Sequence, residues 1–300
     1  NLEFEFASPL PLTVGSICNF QIKVDLDNGA STYTLNAAVK NLAFRPTKRV
    51  ILEENTGMGC QNCPLGHLAL EFLEKTYKDQ FIPLAYHTYT GDQLESGMTD
   101  YAQYFLGLSA APTAIIQRNP IVSSPMVSYT ENGVTDYTFH SREENAWLDL
   151  VSKEFTTDAE AELSIGGAYN EETGKITVDY VLTSALDVNN ANIGLLCVVT
   201  EDGLAGFQSN AFYTTTDTDL GEWQKGGSYA KSTVYPYIFN DVARALYPAN
   251  AYNGQTGLIP TTLRANEQYA GTITLDLAMD APFVKNVNNC KLTLIALDAN

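Results

Sequence analysis

The sequence predicts an α/β unit enclosed between two β-rich segments. Two observations support this fold class. Apolar and polar residues alternate in the first and last parts of the chain, whereas the part between them contains helical spacing. With 300 residues and a hydrophobic fraction of 45%, the chain is long enough for two or three cores. We place the boundaries so that the segments span residues 1–46, 47–157 and 158–300.

The first segment reads as strands. Cys18–Leu26 alternates up to a turn signal at Asp27-Asn28-Gly29, and a second strand is expected at Thr32–Val39. The opening residues Asn1–Phe6 lack the basic and apolar regions of a signal peptide and read as a strand already under way. We therefore expect a targeting segment upstream of the given sequence.

The middle segment begins with a strand, a helix and a second strand. Val50–Leu52 is a short apolar strand that ends before a turn at Gly57–Gly59. From Pro64 onward, apolar residues fall on one helical stripe, namely Leu65, Leu68, Ala69, Phe72 and Leu73. Phe81–Tyr86 is the next strand, so the pattern predicts a right-handed βαβ unit.

The middle segment then continues with a helix, a short strand and a closing helix. We predict the helix at Met98–Leu108 and the strand at Ala111–Ile116. The tetrapeptide Ser141–Glu144 is a capping box that opens the closing helix, which runs through Trp147 and Val151.

The last segment contains strands separated by turn signals, which predicts an antiparallel sandwich. The expected strands are Ala161–Ile165, Ile176–Thr183, Ile193–Thr200, Tyr269–Ala278 and Cys290–Leu297. The stretch 208–266 is rich in Thr, Tyr, Asn and Gly and has weak periodicity. We predict that it forms an elaborated loop.

Charge argues against a nucleic-acid partner, and hydropathy argues against a transmembrane helix. The net charge is −18 with 17 Lys and Arg residues, so the surface repels phosphate backbones and nucleic acid is not an expected partner. No run of 18 or more apolar residues occurs, so a transmembrane helix is not expected.

The five cysteines are too few for a disulfide scaffold. Cys18, Cys197 and Cys290 fall in strand-like runs, where a free cysteine behaves as a small core residue. Cys60 and Cys63 are close together at the point where a strand gives way to a helix. A helix N-terminus favours thiolate over thiol. We therefore expect Cys60 near the N-cap as the more exposed and more acidic nucleophile, and Cys63 one turn inside as the resolving thiol. Pro64 suits the first helical turn.

Four polar residues near the motif are candidate modulators of its chemistry. His67 shares a helix face with both cysteines, so it either tunes thiol acidity or packs beside the motif. Strand alternation directs one of Glu53 and Glu54 inward, where it would relay protons or form an ion pair. His87 ends the second strand, at the sheet edge where α/β proteins build their sites.

The surrounding pattern separates this motif from a zinc site. Neither a second CxxC nor an HxxxH occurs in the sequence, so we expect no structural metal and no cofactor. Ala111-Pro112-Thr113 matches the thioredoxin arrangement, in which a cis-proline before a strand faces the cysteines and its backbone pairs with an extended substrate. The sequence therefore predicts a thioredoxin-like domain over residues 47–157.

Three stretches of the chain resemble segments of one known family, namely Val50–His67, Val198–Leu204 with Gln208, and Asn240–Arg244. The family is that of the Omp28-related outer membrane proteins of Bacteroidetes. The resemblance covers the chain from about residue 48. It implies a signal sequence, a lipoprotein or other outer-membrane-associated location with its anchor upstream, and a thioredoxin-like domain joined to immunoglobulin-like β-domains. On this basis residues 1–46 are part of such a β-domain, but no reaction is implied.

Comparison with thioredoxin itself places Glu54 at the position of the buried acid. Gly59 stands where tryptophan is usual, and Gln61-Asn62 replaces Gly-Pro between the cysteines. Because the intervening dipeptide helps to set the reduction potential, the redox direction stays open.

Three functions are compatible with these residues. The first is an envelope thiol–disulfide oxidoreductase acting on extracytoplasmic protein thiols, with Cys60 as nucleophile, Cys63 resolving, Pro112 shaping the substrate groove and Glu54 assisting proton transfer. The second is an adhesin-like binding protein in which the CxxC is a structural disulfide and the tyrosine-rich loop 208–266 contacts a surface ligand. The third is copper handling, since Cys60, Cys63, His67 and His87 offer ligands that suit Cu(I).

Overall fold

The structure, a computed structural model, describes residues 12–25, 32–89, 91–131, 133–140 and 145–299. The strand expected at Asn1–Phe6, the turn signal at 27–29 and the capping box at Ser141–Glu144 lie outside the described residues. The described part is mostly β, with seventeen strands and three α-helices. The sequence prediction of a helix-containing unit between two β-rich segments agrees with this composition.

The elements follow one another in the predicted order. The first segment holds β1 (Ile17–Asp25) and β2 (Thr32–Lys40). The middle segment holds β3 (Val50–Thr56), α1 (Pro64–Tyr77), β4 (Phe81–His87), β5 (Thr113–Ile116), β6 (Val127–Glu131), β7 (Val134–Thr138) and α2 (Trp147–Glu154). A π-helical segment at Asp100–Phe105 takes the place of the longer helix expected at Met98–Leu108.

The last segment contains more strands than its sequence pattern indicates. They are β8 (Ala161–Asn170), β9 (Lys175–Ser184), β10 (Val188–Asn189), β11 (Ile193–Glu201), β12 (Leu204–Ser209), β13 (Thr233–Phe239), β14 (Val242–Tyr247), β15 (Thr262–Leu263), β16 (Gln268–Asp276) and β17 (Cys290–Asp298), with the short α3 (Leu277–Asp280) before β17. The prediction that 208–266 is a loop is therefore wrong. Pro236 within β13 weakened the strand pattern there, because proline inside a run argues against a strand.

A six-stranded sheet in the order β17-β11-β14-β4-β3-β5 forms the centre of the molecule. β3 runs parallel to β4 and antiparallel to β5. β14 runs parallel to β4, pairing Val242 with Ala85, and the Ala85 amide donates to the Asp241 carbonyl at 3.0 Å. Strands from the middle and last segments therefore share one sheet. The domain boundaries at 46 and 157 stay predictions.

Both faces of β3 and β4 are covered, as is usual for parallel strands. On one face, Leu52 packs with Ala69 and Leu73 of α1 and with Trp147 of α2. On the other face, a second cluster includes Tyr86, Tyr101, Ile115, Leu196 and Val198. Because successive residues of a strand point to opposite faces, β3 presents Leu52 and Glu54 towards α1 and presents Glu53 away from it.

The last segment adds a second layer. The three-stranded antiparallel sheet β16-β9-β8 shares an apolar core with β11, β14 and β17 that includes Leu182, Leu195, Cys197, Ile273 and Leu294. Cys197 is fully buried there, and burial raises the pKa of its thiol to about 12, so the core role predicted for it is confirmed. Cys18 in β1 and Cys290 in β17 are free and only partly buried.

Among the described residues, no helix has both the length and the apolar character needed to cross a membrane.

Candidate functional site

The CxxC motif lies in the turn between β3 and α1. A disulfide joins Cys60 to Cys63, whose Cα atoms are 5.4 Å apart. Pro64 occupies the first position of α1, as expected, but the N-cap residue is Cys63. Cys60 therefore lies in the turn that precedes the helix, not at its N-cap.

The disulfide is not exposed. Cys60 is 2% and Cys63 is 0% exposed, so both cysteines are buried and the predicted difference in their exposure is small. The reason is tertiary: residues 204–239, which comprise β12, β13 and the connection between them, lie over the motif. We call these residues the cover segment.

Backbone hydrogen bonds hold the cover segment to the CxxC turn. The Ser209 amide donates to the Met58 carbonyl at 2.9 Å, and the Ala211 amide donates to the Gln61 carbonyl at 3.0 Å. Gln208, which is fully buried, donates from its side-chain amide to the Cys60 carbonyl at 2.8 Å. These contacts fix the cover at both ends of the turn.

An aromatic cluster on the cover segment surrounds His67 of α1. The rings of Tyr237, Phe239 and Trp223 lie 5.0, 5.7 and 5.9 Å from the imidazole ring. The imidazole Nε2 lies 3.1 Å from the side-chain oxygen of Gln208. Burial lowers the pKa of His67 to about 4, although the hydrogen bond with Gln208 opposes this shift. His67 is therefore neutral at pH 7 and serves to anchor the cover.

Pro112 lies where the sequence predicts it. The Ala111–Pro112 peptide bond is cis and directly precedes β5. The Sγ atom of Cys60 lies 3.5 Å from the Ala111 carbonyl oxygen. The proline loop therefore borders the disulfide at Cys60.

Glu53 and Glu54 are both buried, so the expectation that only one points inward is wrong. The error arises because helices cover one face of β3 and apolar side chains cover the other. Glu53 is fully partnered. Its carboxylate pairs with the Arg118 guanidinium at 2.5 Å and accepts hydrogen bonds from the hydroxyls of Tyr101 at 2.7 Å and Tyr86 at 3.0 Å. Of the two roles predicted for the inward acid, Glu53 therefore has that of the ion-paired carboxylate.

Glu54 is the unpartnered acid of the pair. It is 0% exposed, and neither carboxyl oxygen makes a hydrogen bond of regular geometry. Burial raises the pKa of Glu54 to about 8, although the Thr56 hydroxyl opposes the shift. The group therefore holds a proton at pH 7, beneath the first turn of the helix that carries Cys63.

Gly66 leaves room for this carboxyl group. A Cβ atom at Gly66 would lie 2.3 Å from Oε1 of Glu54 and 3.4 Å from Cβ of Pro112. We expect Gly66→Ala to destabilise the protein by about 1–3 kcal/mol, because steric overlap outweighs the gain in helix propensity of about 1 kcal/mol. Urea unfolding measures this. In a Glu54→Ala background the same substitution should cost less, and an equal cost in both backgrounds would contradict the proposed contact.

His87 ends β4, as predicted, but faces a carboxylate that the sequence did not single out. Its Nδ1 lies 2.9 Å from Oδ2 of Asp92, and that oxygen also accepts from the Met58 amide at 2.7 Å. Burial opposes ionisation of Asp92, but hydrogen bonds from His87, Leu94 and Met58 outweigh it and hold the pKa below its ordinary value. The pair ties the turn before Cys60 to the loop after β4.

The two family-like stretches in the last segment meet in a buried ion pair. The Arg244 guanidinium lies 3.5 Å from the Glu201 carboxylate and donates to the carbonyls of Leu94 and Phe283. Glu201 also accepts from the amides of Lys285 and Asn286. These residues fix loops around β14 and do not contact the disulfide.

The described residues contain no group of three or more His, Cys, Asp or Glu side chains arranged to hold a metal ion. The two sulfur atoms of the CxxC are bonded to each other. The ligand set expected for Cu(I) is therefore not assembled by His67 and His87 with the cysteines.

A cavity of about 270 Å³ lies between α1 and β13 and reaches Glu54. Its polar lining comes from four elements and was not foreseen from the sequence. The lining residues with ionisable or hydroxyl groups are Glu54, Thr56, His67, Glu71, Glu74, His87, Tyr237 and Asp241.

No protein-family model and no curated protein matches this chain. Among solved structures, HBP35 of Porphyromonas gingivalis matches with a TM-score of 0.51 and 16% identity, over 85% of this chain and 71% of that one. The chain has a fold similar to that of a Bacteroidetes protein. A structural-genomics protein from Agrobacterium tumefaciens aligns over 86% of this chain and 97% of its own, with 12% identity and a TM-score of 0.40. Membership of the Omp28-related family stays a prediction.

Proposed function

We propose that the Cys60–Cys63 pair carries out thiol–disulfide exchange on extracytoplasmic proteins, within a thioredoxin-like middle segment. The observation that carries the proposal is the unpartnered, buried Glu54 beneath α1, the helix whose N-cap is Cys63. A structural bridge has no need of a carboxyl group whose burial raises its pKa to about 8. The position of the Ala111-Pro112 loop beside Cys60 adds support.

The proposed reaction starts from the disulfide form. A substrate thiolate attacks Sγ of Cys60, a mixed disulfide forms, and Cys63 leaves as a thiolate that takes a proton from Glu54. A second substrate thiolate then attacks the substrate sulfur of the mixed disulfide, which releases oxidised substrate and the Cys60 thiolate. Two electrons pass from the substrate dithiol to the cysteine pair. The backbone beside Pro112 holds the substrate chain in an extended conformation.

This reaction requires the cover segment to move. Cys60 is 2% exposed, so a protein thiolate reaches its sulfur atom only after residues such as Gln208 and Ala211 separate from the CxxC turn. Exchange is therefore expected to be slower than the intrinsic reactivity of the disulfide allows.

Cys60→Ser is the direct test. We expect it to abolish exchange in insulin-reduction and refolding assays, because the single thiol of Cys63 cannot form the disulfide that a substrate thiolate attacks. Cys197→Ser, which replaces a buried free thiol far from the motif, is the matched control and should retain activity. The proposal would be wrong if the wild type shows no exchange and its cysteine pair has a reduction potential far below about −300 mV. Those results would indicate a structural disulfide.

A binding protein with a structural CxxC is the second candidate, and the burial of both cysteines favours it. The outer side of the cover segment exposes Tyr213, Tyr235 and Ile238, with Tyr235 being 76% exposed. Exposed aromatic residues are frequent interface anchors. If the protein is a binding protein, the exchange assays fail and Tyr235→Ala weakens binding of the surface ligand.

The cellular setting is proposed on the same basis. The resemblance to the Omp28-related family and the structural likeness to a protein of a Bacteroidetes species support an envelope location. We propose an outer-membrane-associated or periplasmic lipoprotein with its anchor upstream, in which the β-sheets of the last segment form an immunoglobulin-like sandwich. Fractionation and globomycin sensitivity of the full-length protein test the anchor.

A further inference from the structure

The cavity between α1 and β13 has an acidic rim and a buried acidic end. Glu71 and Glu74 of α1 are exposed at its rim, whereas Asp241 and Glu54 lie deeper. Among the described residues that line it, none is a lysine or an arginine. Lys75 pairs with Glu71 from the solvent side at 2.7 Å, and Lys291 pairs with Asp241 at 2.9 Å, so both cations lie outside the lining.

Glu54 closes the cavity without a hydrogen bond of regular geometry, and the Thr56 hydroxyl only partly offsets the effect of burial. Both of its carboxyl oxygens are unsatisfied although the residue is fully buried. An unsatisfied buried carboxyl group is costly, because it has lost its hydration without a replacement. A donor group that enters the cavity would remove this cost.

Lys75 and Lys291 compensate Glu71 and Asp241 only from outside the cavity, and none of the described lining residues is a cation that faces Glu54. Partial burial of its carboxyl group and the neighbouring Asp241 raise the pKa of Glu74 to about 7, although Lys291 opposes the shift. Burial also raises the pKa of Asp241, although Lys291 opposes the shift. The cavity therefore disfavours its own negative charges, and a bound cation would relieve that repulsion.

The lining distinguishes an organic cation from a metal ion. The described residues contain no metal-binding group of three or more ligands. Leu70 and the rings of Tyr237 and Phe239 make part of the wall apolar or aromatic. An alkylammonium ion has an apolar chain for such a wall and three N–H donors for carboxyl oxygens, and aromatic rings attract its charge.

We propose that this cavity binds a primary alkylammonium group, such as a free alkylamine or a lysine side chain, with its charged end at Glu54. The site does not depend on exchange at the disulfide. Binding should persist in a Cys60→Ser/Cys63→Ser variant, in which exchange is impossible. Failure of the binding proposal can therefore be distinguished from failure of the exchange proposal.

The test is calorimetric titration of the full chain with n-butylammonium chloride, with n-butanol as the neutral ligand of the same chain length and sodium chloride for ionic strength. We expect saturable binding of n-butylammonium and none of n-butanol. Glu54→Gln keeps the size of the side chain and should weaken binding by about tenfold or more, as expected for loss of a buried ion pair. Glu171→Gln, on the exposed turn after β8, is the matched control and should bind as the wild type does.

A second measurement uses the wild type alone. Alkylamines remain charged below about pH 10, so binding should tighten by about tenfold between pH 6.5 and 8.5 as Glu54 loses its proton. The other groups that face Glu54 or the cavity are Thr56 of β3, His67, Glu71 and Glu74 of α1, His87 of β4, Tyr237 of β13 and Asp241. Equal binding of n-butanol, equal loss in both Gln variants, a flat pH profile or no saturable binding would each overturn the proposal.

Discussion

Trp223→Ala is expected to speed the reduction of the Cys60–Cys63 disulfide by dithiothreitol by about tenfold or more. Trp223 is buried in the cover segment, where its ring lies 4.8 Å from that of Tyr229, 5.1 Å from that of Tyr237 and 5.9 Å from that of His67. Truncating a buried tryptophan costs about 3–5 kcal/mol, and here the loss falls on the contacts that close the cover over the motif. The open state, in which the reductant reaches Cys60, therefore becomes more populated.

Timed alkylation of the released thiols followed by mass spectrometry measures this rate. Leu182→Ala is the control, because Leu182 is buried in the core shared by β9 and β11 and does not contact the cover. It lowers global stability by a comparable amount, about 2–5 kcal/mol. Equal acceleration in both variants would mean that global unfolding exposes the disulfide. An unchanged rate in Trp223→Ala would mean that the cover is not the barrier.

Glu54→Gln is expected to stabilise the protein increasingly as pH rises. The pKa of Glu54 is about 8 in the folded protein against an ordinary value of 4.5, because the group is buried. Below pH 4.5 the carboxyl is protonated in both states, so no penalty exists. Between the two values the unfolded chain releases the proton and the folded protein retains it, so wild-type stability falls as pH rises towards 8.

The size of this effect follows from the pKa difference. A pKa difference of one corresponds to about 1.4 kcal/mol of stability. The difference between 4.5 and about 8 therefore lowers the free energy of unfolding by on the order of 5 kcal/mol at pH 8 and above. Glutamine does not ionise and removes the pH dependence, whereas any cost of its buried amide is the same at every pH. Urea unfolding of the oxidised proteins at pH 4.5 and 8.5, in buffers free of amines, measures the difference. Parallel pH profiles for the wild type and Glu54→Gln would contradict a buried carboxyl of high pKa.

Local patterns predicted the elements of the site well. The stripe of apolar residues after Pro64 gave α1, and the short runs before Gly57 and after Phe81 gave β3 and β4. These features depend on residues close together in the chain, because helical and strand periodicities report which side of a single element is apolar. The position of Pro112 beside Cys60 follows from the same order of elements.

The cover over the disulfide was not predictable in this way. Gln208 lies 148 residues beyond Cys60, and its hydrogen bond to the Cys60 carbonyl joins two elements that no local pattern relates. β13 carries a proline and weak alternation, so even its existence as a strand was missed. The burial of both cysteines therefore has a cause that lies outside the motif.

By itself, the sequence determined that a CxxC motif followed by proline lies between a strand and a helix, with two acids just before the motif and a proline loop opposite. The tertiary structure alone decided that both cysteines are buried, that Glu53 is paired while Glu54 is not, and that an acidic cavity reaches Glu54. The physical reason is that periodicity records which face of an element is buried, whereas the covering of that face, and hence its solvation and charge, depends on segments distant in the chain.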